Sequence, residues 1–149
     1  MESKAKTSIK EVRNLPYREL PSKVGKPITI KTRLRVIDNT GSKQVEMIGT
    51  IKKGNTAKRY PSAGCGEIIR AVIKQGTDKS KVIHFLITGC KKPYFRKTEG
   101  IHVVFSENTG IILEKNKNLY KIKDTKIKGP VAKECSRRFP TLKTHAILV

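Results

Sequence analysis

The stretch that decides the fold is Ile28-Thr29-Ile30-Lys31-Thr32-Arg33-Leu34-Arg35-Val36. Apolar side chains occupy four of its even positions, and the odd positions carry one threonine and three basic residues. Successive side chains of a β-strand point to opposite faces, so this period of two predicts a strand with one face in a core. The other face, which carries Lys31, Arg33 and Arg35, is expected to be basic and exposed.

Further apolar runs follow this stretch and are separated by short groups of turn residues, among them Asp38. They predict strands at residues 45–51, 67–74, 82–88, 101–105 and 111–113. Residues 76–81 are expected to form a polar hairpin loop, and the last two strands are expected to pair across a turn at residues 106–110. Short strands without intervening helices indicate a mainly β fold, built as a small closed barrel.

The two ends of the chain differ from this β region. Residues 1–27 are polar and interrupted by three prolines, which predicts an N-terminal extension that becomes ordered on binding, followed by a barrel domain at residues 28–149. No regular element is expected at residues 115–128. A short helix is expected at residues 131–138, after Gly129-Pro130, and the apolar tail 146–149 is expected to pack on the barrel.

The charge of the chain points to a polyanionic partner. Thirty-three Lys and Arg residues stand against twelve Asp and Glu, which gives a formal net charge of +21. Small soluble domains usually carry a net charge of about 2–8, and a larger excess repels itself unless a polyanion neutralises it. A generally solvated lysine surface or a membrane surface are the alternatives, but the sequence has no long apolar run and no clear amphipathic anchor. The composition favours nucleic acid, with no membrane partner.

No pattern for catalysis or metal binding is found in the sequence. Cys65, Cys90 and Cys135 form no Cys-x-x-Cys pair, so we expect small buried thiols with neither a disulfide nor a zinc site. His84 and His102 lack the neighbouring partner that a general base requires. The glycines form no phosphate-binding loop, because no Lys-Ser/Thr pair follows them. We therefore expect no catalytic residue, no cofactor and no metal.

Basic residues are concentrated in four clusters. These are the exposed face of the opening stretch, the loop at residues 52–60, the segment at residues 91–97 and the lysine-rich run at residues 115–128. Loops on a rigid barrel can follow a phosphate backbone. Tyr94 and Phe95 can stack on unpaired bases, or alternatively Phe95 caps the barrel and Tyr94 covers it. Without a zinc finger, a recognition helix or an RNP signature, the pattern favours recognition of backbone and shape.

Three stretches together resemble a known family. Leu34-Arg35-Val36-Ile37-Asp38-Asn39-Thr40-Gly41-Ser42-Lys43 resembles the opening motif of the universal large-subunit ribosomal protein fourteen family. Glu99-Gly100, with the following Phe105, Asn108 and Ile111-Ile112, is similar to the family signature, and Gly129-Pro130-Val131-Ala132-Lys133-Glu134 resembles its C-terminal motif. The order of the three motifs over residues 28–149 makes the resemblance specific. Asp, Val and Ala are usual where this chain has Glu99, Ile111 and Ser42, and these changes keep charge or approximate shape.

The resemblance implies a five-stranded β-barrel with a short C-terminal α-helical part, serving as a structural constituent of the ribosome. It implies binding to large-subunit rRNA, an inter-subunit bridge to small-subunit rRNA, and contacts with neighbouring large-subunit proteins. A surface for subunit-joining inhibitor factors is expected at Lys133, Glu134, Arg137 and Arg138. The clusters and the resemblance together give the candidate RNA-binding residues Lys31, Arg33, Arg35, Lys43, Lys52, Lys53, Lys58, Arg59, Lys91, Lys92, Tyr94, Arg96 and Lys97.

Two alternatives of other classes are a free nucleic-acid-binding barrel, such as a single-strand binder or RNA chaperone, and an enzyme subunit acting on RNA. The compartment is also open. The N-terminal extension and an opening strand resembling mitochondrial versions favour a mitochondrial ribosome, whereas Arg138-Phe139-Pro140 resembles cytosolic and archaeal forms. We expect a ribosomal location, mitochondrial in preference to cytosolic.

Overall fold

The computed structural model describes residues 25–51 and 60–149. Within these residues the chain forms twelve strands and two short helices. The strands are β1 (Ile28–Thr29), β2 (Arg33–Val36), β3 (Ser42–Thr50), β4 (Ser62–Ala63), β5 (Ile68–Gly76), β6 (Val82–Gly89), β7 (Tyr94–Arg96), β8 (Ile101–Val103), β9 (Thr109–Asn116), β10 (Leu119–Ile122), β11 (Pro130–Val131) and β12 (Ile147–Leu148). The helices are α1 (Lys133–Arg138) and α2 (Leu142–His145).

Five of the strands close into a barrel in the order β9-β2-β3-β5-β6, with β6 pairing back to β9. All of these pairings are antiparallel except β2 with β9. Strand β10 continues from β9 along the barrel wall as an antiparallel partner. Closure leaves no exposed edge among the five strands. The five-stranded barrel implied by the resemblance is therefore confirmed.

The opening stretch forms two strands where the sequence predicts one. Strand β1 pairs with β4, whereas β2 pairs with β3 and β9. Lys31 lies between them with a φ of 67°, in the left-handed region, and its N–H donates to the carbonyl of Met47. The predicted faces are confirmed for Ile28, Leu34 and Val36, which are buried, and for the exposed basic side chains, whereas Ile30 is only partly buried.

The predicted hairpin between residues 101–105 and 111–113 is wrong. Strand β8 pairs with β7, so that Tyr94 faces Val103, and β9 pairs with β2, β6 and β10. The apolar run at residues 111–113 is buried throughout, because a barrel strand covered on its outer side offers no solvent face. The prediction that residues 115–128 form no regular element is also wrong. The end of β9 and the whole of β10 form a hairpin there.

Asp38 joins the turn after β2 to the barrel wall. Its Oδ1 accepts a hydrogen bond from the Thr40 N–H at 3.1 Å, and its Oδ2 accepts one from the Ile112 N–H at 2.8 Å. The carboxylate is buried, and it accepts the hydrogen bond that a neighbouring strand would otherwise accept from the Ile112 N–H. The turn role predicted for Asp38 is thereby confirmed, and a second role on β9 is added to it.

The C-terminal part packs against the outer side of β6. The Ala132 N–H donates to the Thr88 carbonyl at 2.9 Å, and the Cys135 Sγ donates to the Ile87 carbonyl at 3.3 Å. Strand β12 pairs in parallel with β11, which confirms that the apolar tail packs on the body. Helix α1 begins two residues later than predicted because Pro130–Val131 is taken up by that pairing. Among the described residues, no helix has the length and apolar character needed to cross a bilayer.

Candidate nucleic-acid interface

The exposed face of β2 forms one side of an open groove of about 460 Å³, here called the basic groove. The side chains that line it come from β2, β3, the end of β5 and the two loops that follow β6 and β8. They are Arg33, Arg35, Lys43, Gln44, Gln75, Lys91, Ser106, Glu107 and Asn108. Four of these are cations and one is a carboxylate, so the groove is strongly positive.

Strand pairing fixes the cations along the groove. In β2 and β3, Arg33 lies opposite Glu46 and Arg35 opposite Gln44, and the period of two directs both arginines outwards. The two loops are tied together by Asn108, whose Oδ1 accepts a hydrogen bond from the Lys91 N–H at 2.9 Å. The carbonyl of Asn108 accepts another from the Arg35 N–H at 2.9 Å. The loops are therefore anchored to the strand that carries the arginines.

Both arginines are exposed and make ion pairs, but only the Arg35 pair is exposed on both sides, since the Glu46 side chain is 19% exposed. Arg35 Nη1 lies 3.0 Å from Glu107 Oε2, with side chains 68% and 52% exposed. Arg33 Nε lies 3.6 Å from Glu46 Oε2, and Lys74 contacts the same carboxylate at 3.5 Å. A pair as exposed as Arg35–Glu107 contributes only about 0–1 kcal/mol. A phosphate can therefore replace the carboxylate as the partner of a guanidinium without a large loss of stability.

The other predicted contact residues fall into three groups: exposed residues outside the groove, residues outside the described part of the chain, and the buried Tyr94 and Arg96. Lys31, Lys92 and Lys97 are exposed but do not line the basic groove. Residues Lys52, Lys53, Lys58 and Arg59 lie outside the described residues.

Tyr94 and Arg96 are buried, which departs from their prediction as RNA-contact residues and, for Tyr94, agrees with the alternative that it covers the barrel. Arg96 Nε donates to Glu134 Oε1 at 2.8 Å and Nη2 donates to Glu134 Oε2 at 3.0 Å. The Tyr94 hydroxyl donates to the same carboxylate at 2.9 Å, and burial raises the pKa of Tyr94. Alternation along β7 sends these two side chains inwards and Phe95 outwards, where its ring contacts His102.

The candidate protein-partner surface on α1 is only partly exposed. Glu134 points inwards to Arg96, and its side chain is only 14% exposed. Lys133, Arg137 and Arg138 are exposed, and the Lys133 Nζ lies 2.8 Å from Glu99 Oε1. The hydrogen bond from Lys133 lowers the pKa of Glu99, although partial desolvation opposes it. These cations give the outer side of α1 a positive charge.

Sequence reasoning missed the polar side chains of the groove. Gln44, Gln75 and Ser106 carry no charge and belong to no cluster, so nothing in their pattern marks them. Asn108 and Glu107 do lie within the stretch that resembles the family signature, and that was the available signal.

The three cysteines are distant in sequence but are brought close together by the fold. They are buried and free, and a hydrogen bond to Cys90 together with burial raises the pKa of Cys65. Burial raises the pKa of Cys135 as well. Thiols in this state are poor nucleophiles. Among residues 25–51 and 60–149, no group of three His, Cys, Asp or Glu side chains is arranged to hold a metal ion.

The comparisons with known proteins all indicate the same family. The model of the family described as ribosomal protein L14p/L23e matches residues 27–149. The large ribosomal subunit protein uL14 of Methanocella arvoryzae is 32% identical over 134 residues, covering 89% of this chain and 98% of that protein. The uL14 protein of Methanocorpusculum labreanum is 31% identical, covering 87% and 97%, and that of Methanococcus vannielii is 34% identical, covering 78% and 87%. The chain therefore belongs to the ribosomal protein L14p/L23e family.

Proposed function

We propose that the chain is a structural constituent of the large ribosomal subunit and binds large-subunit rRNA through the basic groove. The curated relatives are named as large ribosomal subunit proteins. The L14p/L23e family is structural, so the chain is not an enzyme.

The observation that supports RNA binding most directly is the convergence of four cations from separate segments. Arg33 and Arg35 come from β2, Lys43 from β3 and Lys91 from the loop after β6. Guanidinium groups bind phosphate as forks, and lysines act as point charges. None of the groove side chains belongs to a base-reading helix, so recognition of the RNA backbone and shape is expected.

Sedimentation of cell extracts tests this proposal. A tagged wild-type chain is expected to travel with the large subunit and to remain there at moderate salt. The variant with Arg33, Arg35, Lys43 and Lys91 all changed to Gln is expected to shift towards the light fractions. A matched variant changes four exposed basic residues outside the groove and outside the four clusters, Arg70, Lys79, Lys81 and Lys143, to Gln and has the same net charge. Recovery of the wild-type chain mainly in the light fractions would favour the free nucleic-acid-binding barrel instead.

We further propose that α1 faces protein partners and contributes to the inter-subunit side. The exposed cations Lys133, Arg137 and Arg138 support this, since they lie together on one short helix. Small-subunit rRNA at a bridge, neighbouring large-subunit proteins and subunit-joining inhibitors are the proposed partners. Large subunits carrying Arg137→Glu and Arg138→Glu are expected to give a larger fraction of free subunits on sucrose gradients. An unchanged fraction would contradict this surface.

The division of the chain and its compartment are also proposals. Residues 1–27 are proposed as an extension and residues 28–149 as the ribosomal barrel domain. A mitochondrial ribosome is proposed ahead of a cytosolic one on the basis of that extension, although the relatives named above come from archaea. Imaging of a tagged chain tests this directly: signal in mitochondria supports the proposal, and a purely cytosolic signal overturns it.

A further inference from the structure

A second groove, of about 480 Å³, lies between the β9–β10 hairpin, the β5 start and the end of α1; it is called the apolar groove here. Its apolar lining comes from Ile51, Ile68, Leu119, Tyr120 and Phe139. Leu119 stands at the edge with 69% of its surface exposed, whereas Phe139 is buried at the base. The charged side chains of the lining are Glu67 and Arg138. The apolar groove thus differs in chemistry from the basic groove and is suited to apolar side chains.

The described chain begins beside this groove. Gly25 is the first described residue, and the Nζ of the following Lys26 lies 3.7 Å from Oε1 of Glu67, which lines the groove. The chain before Gly25 therefore meets the barrel close to the groove wall, at a distance that the Lys26 side chain spans. A partner tethered at that point has a high effective concentration at the groove.

The sequence before Gly25 contains apolar residues at suitable distances. Ile9, Val12, Leu15 and Leu20 are spaced along an otherwise polar stretch. Leu20 precedes Gly25 by five residues and can lie at most roughly 17 Å from it, since extended chain spans about 3.3–3.6 Å per residue. By the same measure Leu15 can reach roughly 35 Å. Both distances allow these side chains to enter the groove.

We propose that residues 9–20 dock on the apolar groove of the same chain, with their apolar side chains covering Leu119, Tyr120 and Phe139. The intramolecular tether favours this occupant over a separate protein, which must lose translational and rotational freedom on binding. The docked segment would hold the N-terminal residues against the barrel before any RNA is bound, in place of the ordering on binding that the sequence predicts. This proposal does not depend on the ribosomal function.

Hydrogen exchange of the full-length chain without RNA tests the proposal. Amides of residues 9–20 are expected to exchange at least about tenfold more slowly than in an unstructured peptide. Leu119→Lys is expected to abolish this protection, because a charge is placed in the groove and residues 1–24 carry six Lys and Arg against three Glu. Leu119 is exposed at a hairpin edge, so the variant is expected to keep the fold, which thermal unfolding verifies.

Ile147→Lys is the matched control, since Ile147 is 74% exposed and does not line the groove. It is expected to leave the protection of residues 9–20 unchanged. A second variant, Leu15→Ser with Leu20→Ser, is expected to speed exchange at residues 9–20 without touching the barrel. Exchange of residues 9–20 at unstructured rates in the wild type would overturn the proposal. Protection that survives Leu119→Lys, or that develops only with rRNA present, would overturn it equally.

Discussion

Arg96 and Glu134 lie 38 positions apart in the chain and form a two-fold hydrogen-bonded ion pair, with Nε to Oε1 at 2.8 Å and Nη2 to Oε2 at 3.0 Å. The pair joins the β7–β8 hairpin to α1. Arg96 Nη2 also donates to the backbone oxygen of Val149 at 2.9 Å, and Nη1 donates to Glu99 at 3.3 Å. One buried guanidinium therefore connects the hairpin, the helix and the residue that follows β12.

Removing one member of this pair is expected to be costly. Arg96→Met leaves the Glu134 carboxylate, whose side chain is only 14% exposed, without its cation. Loss of one partner of a buried pair destabilises by about 3–5 kcal/mol. Urea unfolding of Arg96→Met is expected to show a loss of this size, and Arg96→Met combined with Glu134→Leu is expected to recover part of it. A loss below about 1 kcal/mol in the single variant would contradict the buried pair.

The basic groove predicts a specific salt dependence. Each phosphate contact to RNA contributes about 0.7–0.9 to the slope of log affinity against log salt. Arg35→Gln is expected to reduce the slope measured with an rRNA fragment between about 50 and 200 mM salt by this amount. Lys79→Gln, an exposed lysine outside the groove and outside the basic clusters, is the control and is expected to change the slope less. Equal changes of the slope in the two variants would mean that RNA binding depends on the total charge of the protein and not on the basic groove.

Glu107 is expected to weaken RNA binding, because it places a negative charge in the groove. Its Oε2 lies 3.0 Å from Arg35 Nη1 and competes with phosphate for that guanidinium. An exposed pair of this kind is worth about 0.2–1 kcal/mol. Glu107→Gln is therefore expected to raise the affinity for rRNA by about 1.5- to 5-fold in a filter-binding titration. A lower affinity would show that Glu107 orients Arg35 for binding instead of competing.

Gly110 is required by close packing at the crossing of β9 and β6. A Cβ at this position would lie 2.6 Å from Cζ of Phe85 and would also overlap the Leu86 carbonyl. Overpacking of a core typically costs about 1–3 kcal/mol, and contact with rigid backbone raises the cost. Gly110→Ala is expected to unfold at clearly lower urea than the wild type. Gly129→Ala, where the new Cβ meets only ordinary contacts of 3.6 Å with Ile37, is the matched control and is expected to remain folded.

His84 predicts a pH dependence of stability. Burial lowers its pKa below the ordinary value of 6.5, and the charges of Lys115 and Arg70 lower it further. The unfolded chain then binds a proton more readily than the folded chain, so stability falls as pH falls below about 6.5. The difference in unfolding free energy between about pH 7.5 and 5.5 is expected to be smaller in His84→Gln than in the wild type. An identical pH dependence would show that His84 makes no contribution.

Several features of the site follow from local sequence alone. The alternation around Leu34 assigns Arg33 and Arg35 to an exposed face, because the strand period depends only on backbone geometry. The same reasoning was available for Tyr94 and Arg96, but a three-residue strand such as β7 is too short for its pattern to show which face is buried. Arg96 therefore looked like the other basic residues of its cluster.

By itself, the sequence determined the β class, the basic face of β2, the charge that requires a polyanionic partner, and the motifs that resemble the family. These properties belong to the residues and their local spacing. Only the tertiary structure decided which strands are neighbours, since β9 pairs with β2 and β6 instead of β8. It also decided which cations face solvent, because closing the barrel and docking α1 enclose Arg96 with Glu134 while leaving Arg35 outside. Long-range pairing depends on the packing of the whole chain, and no local period encodes it.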